Sequence, residues 1–278
     1  MELFSAADSL FNVHHSLDER PDPHDFSMHA HDRPELYYFI RGKGSYRVEG
    51  TEYSLHENDI LLMREAETHK LVIDPAEPYE RIAIHFRKEL LLFADPEEQL
   101  LAPFYNRPLG EQNQYHMDTL PDRFWQECFF KLVAPTQDAG GFKTRLITYL
   151  LSILQEISGL YRSSIAGGEA RETTAVQLVS YINLHLFEPL SLDLLSRQFY
   201  LSKSQLNRIF HQATGSTIAR YIEIKRLLCA RQKIRSGMPI GESCRQTGFN
   251  DYSNFYRAYK KQFACAPLQD KNTDQHHR

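Results

Sequence analysis

The feature that most constrains this chain is a repeat in its C-terminal third. Residues 191–215 read SLDLLSRQFYLSKSQLNRIFHQATG and residues 239–264 read PIGESCRQTGFNDYSNFYRAYKKQFA. At an offset of 48, Leu192 matches Ile240, Arg197 and Gln198 match Arg245 and Gln246, and Leu201 matches Phe249. One residue is then inserted. At an offset of 49, Leu206 matches Phe255, Arg208 matches Arg257 and Phe210 matches Tyr259. Each copy has the pattern of a helix–turn–helix unit: a short helix, a turn and a second amphipathic helix. Ser191 and Ser202 stand as N-caps in the first copy. In the second, Gly248 supplies the turn and Asp251 the cap. The inner face of the first copy's second helix is Leu206, Ile209, Phe210 and Ala213; its outer face is Lys203, Ser204, Asn207, Arg208 and His211. The second copy turns Phe255, Tyr259 and Phe263 inward and Tyr252, Ser253, Tyr256, Arg257 and Lys260 outward.

Charge agrees with a polyanion partner for this part of the chain. The 278 residues carry a formal net charge of −4, unevenly divided. Residues 1–172 hold 17 Lys+Arg against 29 Asp+Glu, net −12, whereas residues 173–278 hold 15 against 7, net +8. An acidic body is thus joined to a basic module, whose outward donors suit base edges and phosphates together. No apolar run approaches the ~20 residues of a membrane span, and no basic region opens the chain as in a signal peptide. Cys128, Cys229, Cys244 and Cys265 are widely spaced, as expected of reduced thiols in the cytoplasm.

These residues are similar to the DNA-binding domain of the AraC/XylS family of bacterial transcriptional regulators. The resemblance covers residues 174–267. It rests on residues 190–215, on the linking segment 217–235 with Tyr221 and Arg226, and on Gly248-Phe249-x-Asp251-x-x-x-Phe255-x-Arg257-x-x-Lys260. It departs from the usual pattern at Ile218, where proline is frequent, at Ser243, normally apolar, and at Ala264, where glycine is usual. The family fold is two helix–turn–helix units joined by one long helix, each placing a recognition helix in the major groove, about 34 Å apart on one face of the duplex. The resemblance implies base contacts from Ser204, Gln205, Asn207 and Arg208, and from Tyr252, Ser253, Tyr256 and Arg257. Lys203, His211, Lys260 and Lys261 complete the DNA-facing set, the last three aimed at phosphate.

The first 110 residues punctuate like β structure: 35–41, 45–49, 52–55, 60–63, 70–73 and 81–86 read as short strands between turn signals. Within 45–49, alternation puts Tyr46 and Val48 on one face, Arg47 and Glu49 on the other. His29-x-His31-x-x-x-Glu35-(x)6-Gly42, followed by Asn58-Asp59 and His69, resembles the cupin barrel over residues 25–90. Two histidines one residue apart on a strand share a side, and a carboxylate and a third histidine could complete a divalent-metal site. His29, His31, Glu35 and His69 therefore have three readings: the polar lining of a small-molecule pocket, a metal site, or barrel packing. The resemblance favours the ligand pocket, with sugars or related metabolites as its usual occupants. Strand alternation adds Tyr37, Tyr46 and His85 to the interior.

The expected architecture is multidomain: a cupin-like all-β barrel (1–118), a helical hairpin (119–162), a linker (163–173), an all-α double helix–turn–helix domain (174–268) and a tail (269–278). The wide apolar face of the second hairpin helix points to a homodimer. The expected function is a ligand-responsive, sequence-specific DNA-binding regulator of carbohydrate-related genes, without catalysis or a required cofactor. Its partners are promoter DNA, a sugar or sugar-derived effector and, for an activator, RNA polymerase. The alternative is a metal-dependent cupin enzyme fused to a DNA-binding module.

Overall fold

The computed structural model of the protein describes residues 1–135, 141–164 and 174–273. Most of the expected linker, 165–173, lies outside the described residues. Nine strands form the N-terminal half: β1 (Glu2–Ala7), β2 (Phe11–Asp18), β3 (Glu35–Arg41), β4 (Gly44–Val48), β5 (Thr51–Ser54), β6 (Asp59–Met63), β7 (His69–Ile73), β8 (Tyr79–Phe86) and β9 (Gln114–His116). They make a six-stranded sheet in the order β1-β2-β8-β3-β6-β9 and a three-stranded sheet in the order β5-β4-β7.

Strand β3 shows how the layers stack. Its sequence, ELYYFIR, is nearly continuous in large apolar residues because both of its faces are covered. Tyr37 and Phe39 meet Tyr46, Val48, Leu71 and Ile73 between the two sheets. Leu36 and Tyr38 point the other way, onto α2 (Phe124–Leu132) and α3 (Phe142–Ser164). The short α1 (Ala102–Tyr105) joins the same layer through Phe104. The apolar face of α3, with Leu146, Leu150, Ile153, Leu154 and Ile157, is buried in this core. The stripe that suggested dimerisation is therefore occupied within the chain.

The C-terminal half contains α4 (Thr174–Leu184), α5 (Leu192–Phe199), α6 (Lys203–Thr214), α7 (Ile218–Arg235), α8 (Ile240–Gln246), α9 (Tyr252–Phe263) and α10 (Pro267–Thr273). Helices α5–α6 are the first unit and α8–α9 the second. The first unit packs with α4 and the N-terminal part of α7 through Leu195, Leu206, Phe210, Ile218 and Tyr221. The second packs on the C-terminal part through Leu227, Ala230, Ile234, Phe255 and Tyr259. Helix α10 corrects one expectation: the stretch from 269 onwards begins inside a helix. Its buried Asp270 accepts from Tyr259, Arg231 and Arg235.

A second correction concerns Glu49. It does not continue the alternation of β4. With Gly50 it forms a two-residue hairpin turn between Val48 and Thr51, both central residues at positive φ (47° and 94°), the type I′ arrangement. The turn carries Glu49 into the helical domain, where the side chain is 1% exposed. Its carboxylate accepts from Lys225 Nζ (2.9 Å), Asn183 Nδ2 (3.2 Å), Tyr221 Oη and the Thr68 backbone N–H. A second anchor is Asp32, which pairs with Arg231 and Arg235.

Candidate functional site

The surface expected to face DNA follows from the caps. Ser191 Oγ accepts from Leu194 N–H, and Ser202 with Gln205 closes a capping box at the start of α6. Asp251 caps α9 by accepting from Asn254 N–H. These caps start α6 and α9 in equivalent frames. Lys203, Ser204, Gln205, Arg208 and His211 are exposed on α6, and Asn207 is half-buried. On α9, Tyr252, Ser253, Tyr256, Arg257, Lys260 and Lys261 are all exposed. Lys203 pairs with Asp193 at 2.7 Å, and Arg257 is held by the Asn254 side-chain oxygen.

The two units solve their turns differently. Gly248 takes φ 80° in the second; Tyr200 takes φ 54° in the first, with its ring almost fully exposed. Arg226 joins the units, donating to the Leu186 and Glu188 carbonyls ahead of α5 and to the Gly248 carbonyl, each at 2.8 Å. The residues that depart from the usual pattern are accommodated. Buried Ser243 donates its hydroxyl to the Pro239 carbonyl (3.1 Å), and Ala264 takes the left-handed position after α9 (φ 56°).

The second site is inside the barrel. Register sets Glu35 directly opposite His85 across β3 and β8. His29 sits opposite His69 in an isolated bridge. A cavity of about 350 Å³ opens there, lined by His29, His31, Glu35, Tyr37, Tyr46 and His85, and by Phe26, Tyr79 and Arg81 among others. His69 lies beside it, 1% exposed. The six expected pocket residues are therefore gathered together. The Arg81 and Tyr79 contribution escaped the sequence reading, although alternation from His85 along β8 places both on the same side.

The electrostatics centre on Glu35. Its Oε2 lies 3.1 Å from His69 Nε2, 3.3 Å from His31 Nε2 and 3.5 Å from His85 Nε2. Burial would raise this carboxyl, but the surrounding imidazoles, His85 first, hold it well below the usual carboxylate range. Burial, with the neighbouring His69 and His31, lowers His29 to about 3, so its ring is neutral at pH 7. Tyr37 and Tyr46 are pushed well up by burial, and their phenols stay protonated. The ring nitrogens crowd Glu35 without well-aligned hydrogen bonds: Glu35 Oε2, His69 Nε2 and both His85 nitrogens have no such partner. Backbone carbonyls orient two of the rings, with His29 Nδ1 on Ser27 O and His69 Nδ1 on Glu67 O, each at 2.8 Å. That leaves the Nε2 atoms convergent, the geometry expected around a metal or a polar ligand. A third cluster, His56, Asp59 and His116, lies on the surface; there Asp59 is already engaged by His56 N–H, Gln114 and His116.

A sheet-rich sensor barrel coupled to two matched helix–turn–helix units defines a transcriptional regulator of the two-domain class. An AraC-like ligand binding domain matches residues 16–127, and a helix-turn-helix domain matches residues 195–272. The chain belongs to the AraC/XylS family, as a DNA-binding transcription regulator with an N-terminal ligand-binding domain. It is 24% identical over 247 residues to the HTH-type transcriptional activator RhaS of Citrobacter koseri, covering 87% of this chain and 86% of that protein. It is 37% identical over 91 residues to the right origin-binding protein of Escherichia coli, covering 32% of each. ToxT of Vibrio cholerae, solved with an unsaturated fatty acid bound, matches over 95% of both chains at 10% identity and a TM-score of 0.42. Among the described residues, no helix is long and apolar enough to cross a membrane.

Proposed function

We propose that the exposed faces of α6 and α9 read promoter DNA, and that a small polar effector, a sugar or sugar derivative, occupies the barrel cavity and adjusts that reading. The observation that carries the proposal is the equivalent exposure of Arg208 and Arg257 on two capped helices fastened to one linking helix. A guanidinium pairs bidentately with guanine at about 1–3 kcal/mol of discrimination. The base-reading set is Ser204, Gln205, Asn207, Arg208, Tyr252, Ser253, Tyr256 and Arg257, with Lys203, His211, Lys260 and Lys261 on the backbone. His29, His31, Glu35, Tyr37, His69 and His85 hold the effector. RNA polymerase is the further partner if the protein activates. A homodimer would use the outer side of the helical layer, where Phe124 and Phe130 are exposed.

The test is affinity of the full chain for its own upstream DNA against scrambled DNA over a salt series. Preference of roughly 10³-fold is expected, lost in Arg208→Ala/Arg257→Ala. Equal losses on both DNAs would overturn the base-reading role.

A second reading is favoured by the unpartnered nitrogens around Glu35: the cluster holds a divalent first-row metal. Imidazoles with one carboxylate are a fitting donor set. Here the metal would orient an effector rather than turn over a substrate, and the protein is not an enzyme. Metal content after purification, together with the metal dependence of the barrel's melting temperature, decides between the two pocket readings. Turnover that depends on the metal would instead support the fused cupin enzyme.

A further inference from the structure

Two short segments form the rim of the barrel that faces α7, and each has two sides. Residues 29–32 and 66–69 are joined by His29 N–H to His69 O (3.0 Å), His69 N–H to His29 O (2.9 Å) and Ala66 N–H to His31 O (2.8 Å). His29, His31 and His69 point into the cavity cluster. The residues between and beside them point outward, onto the linking helix. Ala30 packs on Ile224 and Leu228. Asp32 pairs with Arg231 and Arg235. The Ala66 carbonyl accepts from Lys225 Nζ (2.5 Å), and Thr68 donates its backbone N–H to Glu49, the anchor of Lys225 and Tyr221.

On α7 these contacts fall at 221, 224, 225, 228, 231 and 235, a single helical stripe. The stripe runs from Tyr221, which packs in the first unit, to the neighbourhood of Ile234, which packs in the second. The rim therefore grips the one helix that sets both units.

We propose that this two-segment rim is the coupling element between the cavity and the DNA-binding domain. The state of the inward histidines is passed to α7 through the alternation of the rim strands, with Asp32 and Glu49 as the positioning residues on its outer side. A side chain on one face of an extended segment cannot be displaced without turning its neighbours on the other face. Three backbone hydrogen bonds are little to hold the segments against such a displacement. An occupant bridging His29 or His31 to His69 would tie the segments together and stiffen the platform beneath α7. The proposal rests on the reading of the cavity as the effector site, and it supplies that site's route to the DNA-binding domain.

The test is hydrogen exchange along residues 221–235 of the full chain, which needs neither effector nor DNA. His69→Ala and His31→Ala, whose rings meet Glu35 and the other cavity histidines, should speed exchange there by about tenfold, the signature of a locally weakened unit. His85→Ala removes an equal part of the cluster but stands on β8, off the rim, and should leave α7 within about twofold. In an Asp32→Ala background the effect of His69→Ala should shrink, because contacts in one network are not additive. Unchanged α7 exchange in His31→Ala and His69→Ala, or an equal effect from His85→Ala, would overturn the proposal. If His69→Ala loses the near-ultraviolet signal of buried Trp125, His31→Ala, whose side chain is partly exposed, decides alone. Loss of specific DNA binding in a separate assay would count against the functional reading and leave this result standing.

Discussion

The two helix–turn–helix units share a plan but are secured differently. The first leans on the barrel: the Glu49–Gly50 turn comes against α4 and α6, with Val179 and Ala213 within 3.7 Å of a Cβ placed on Gly50, and the Glu49 carboxylate reaches Asn183 and Tyr221. The second is secured from within its own domain by Asp270, which gathers Arg231, Arg235 and Tyr259. One motif, met twice, has thus been stabilised once by a neighbouring domain and once by a C-terminal helix. The barrel touches the first unit directly, and it reaches the second only through α7, where Asp32 shares Arg231 and Arg235 with Asp270.

The largest expected effect separates these anchorages. Glu49→Ala strands the buried Lys225 ammonium, a loss of about 3–5 kcal/mol for a broken buried pair. Urea unfolding should show it, with exchange rising first in α4 and α6. Asp270→Asn should cost less, about 1–3 kcal/mol, and should loosen α8 and α9 while α6 keeps its protection. If both variants loosen both units equally, the anchorages are shared and the contrast fails.

Acid sharpens the same contrast. Burial opposes ionisation of Asp270, but Arg231, Tyr259 and Arg235 hold its carboxyl below the ordinary value of 3.8. A depressed carboxyl stabilises the fold fully above its unfolded value, and that contribution is lost as pH falls towards the folded one. The second unit should therefore lose exchange protection progressively below about pH 4, more than Asp270→Asn does over the same range.

The smallest effect concerns the turns. Tyr200→Gly should stabilise the first unit by up to about 1 kcal/mol by relieving a left-handed tyrosine. Gly248→Ala should destabilise the second, because the added Cβ would lie 2.9 Å from Arg226 Cζ and 3.1 Å from the Phe187 carbonyl. Thermal melts of the two variants should shift in opposite directions.

What was legible in the sequence was local. Caps, turns and apolar spacing act over a few residues, so Ser202, Asp251 and Gly248 could be read directly, while the linking helix came with the family resemblance. The cavity residues were legible because strand parity carries His29 and His31, and then Glu35 and Tyr37, to one side. Strand β1 was missed because most of it is exposed and lacks an apolar rhythm. Glu49 was placed on the same strand face as Arg47, but alternation holds only until a turn, and the helical-domain partners of its carboxylate lie more than 130 residues away. Helix α10 was missed for a similar reason: Asp270 has meaning only beside Arg231 and Arg235.

The hairpin turn at Glu49–Gly50 also bears on how such regulators can be recombined. A sensor barrel cut out here and spliced to another DNA-reading module would arrive with an anion and no socket for it. A chimera should work only if Asn183, Tyr221 and Lys225 travel with the barrel, which puts the true seam of interchange inside the helical domain.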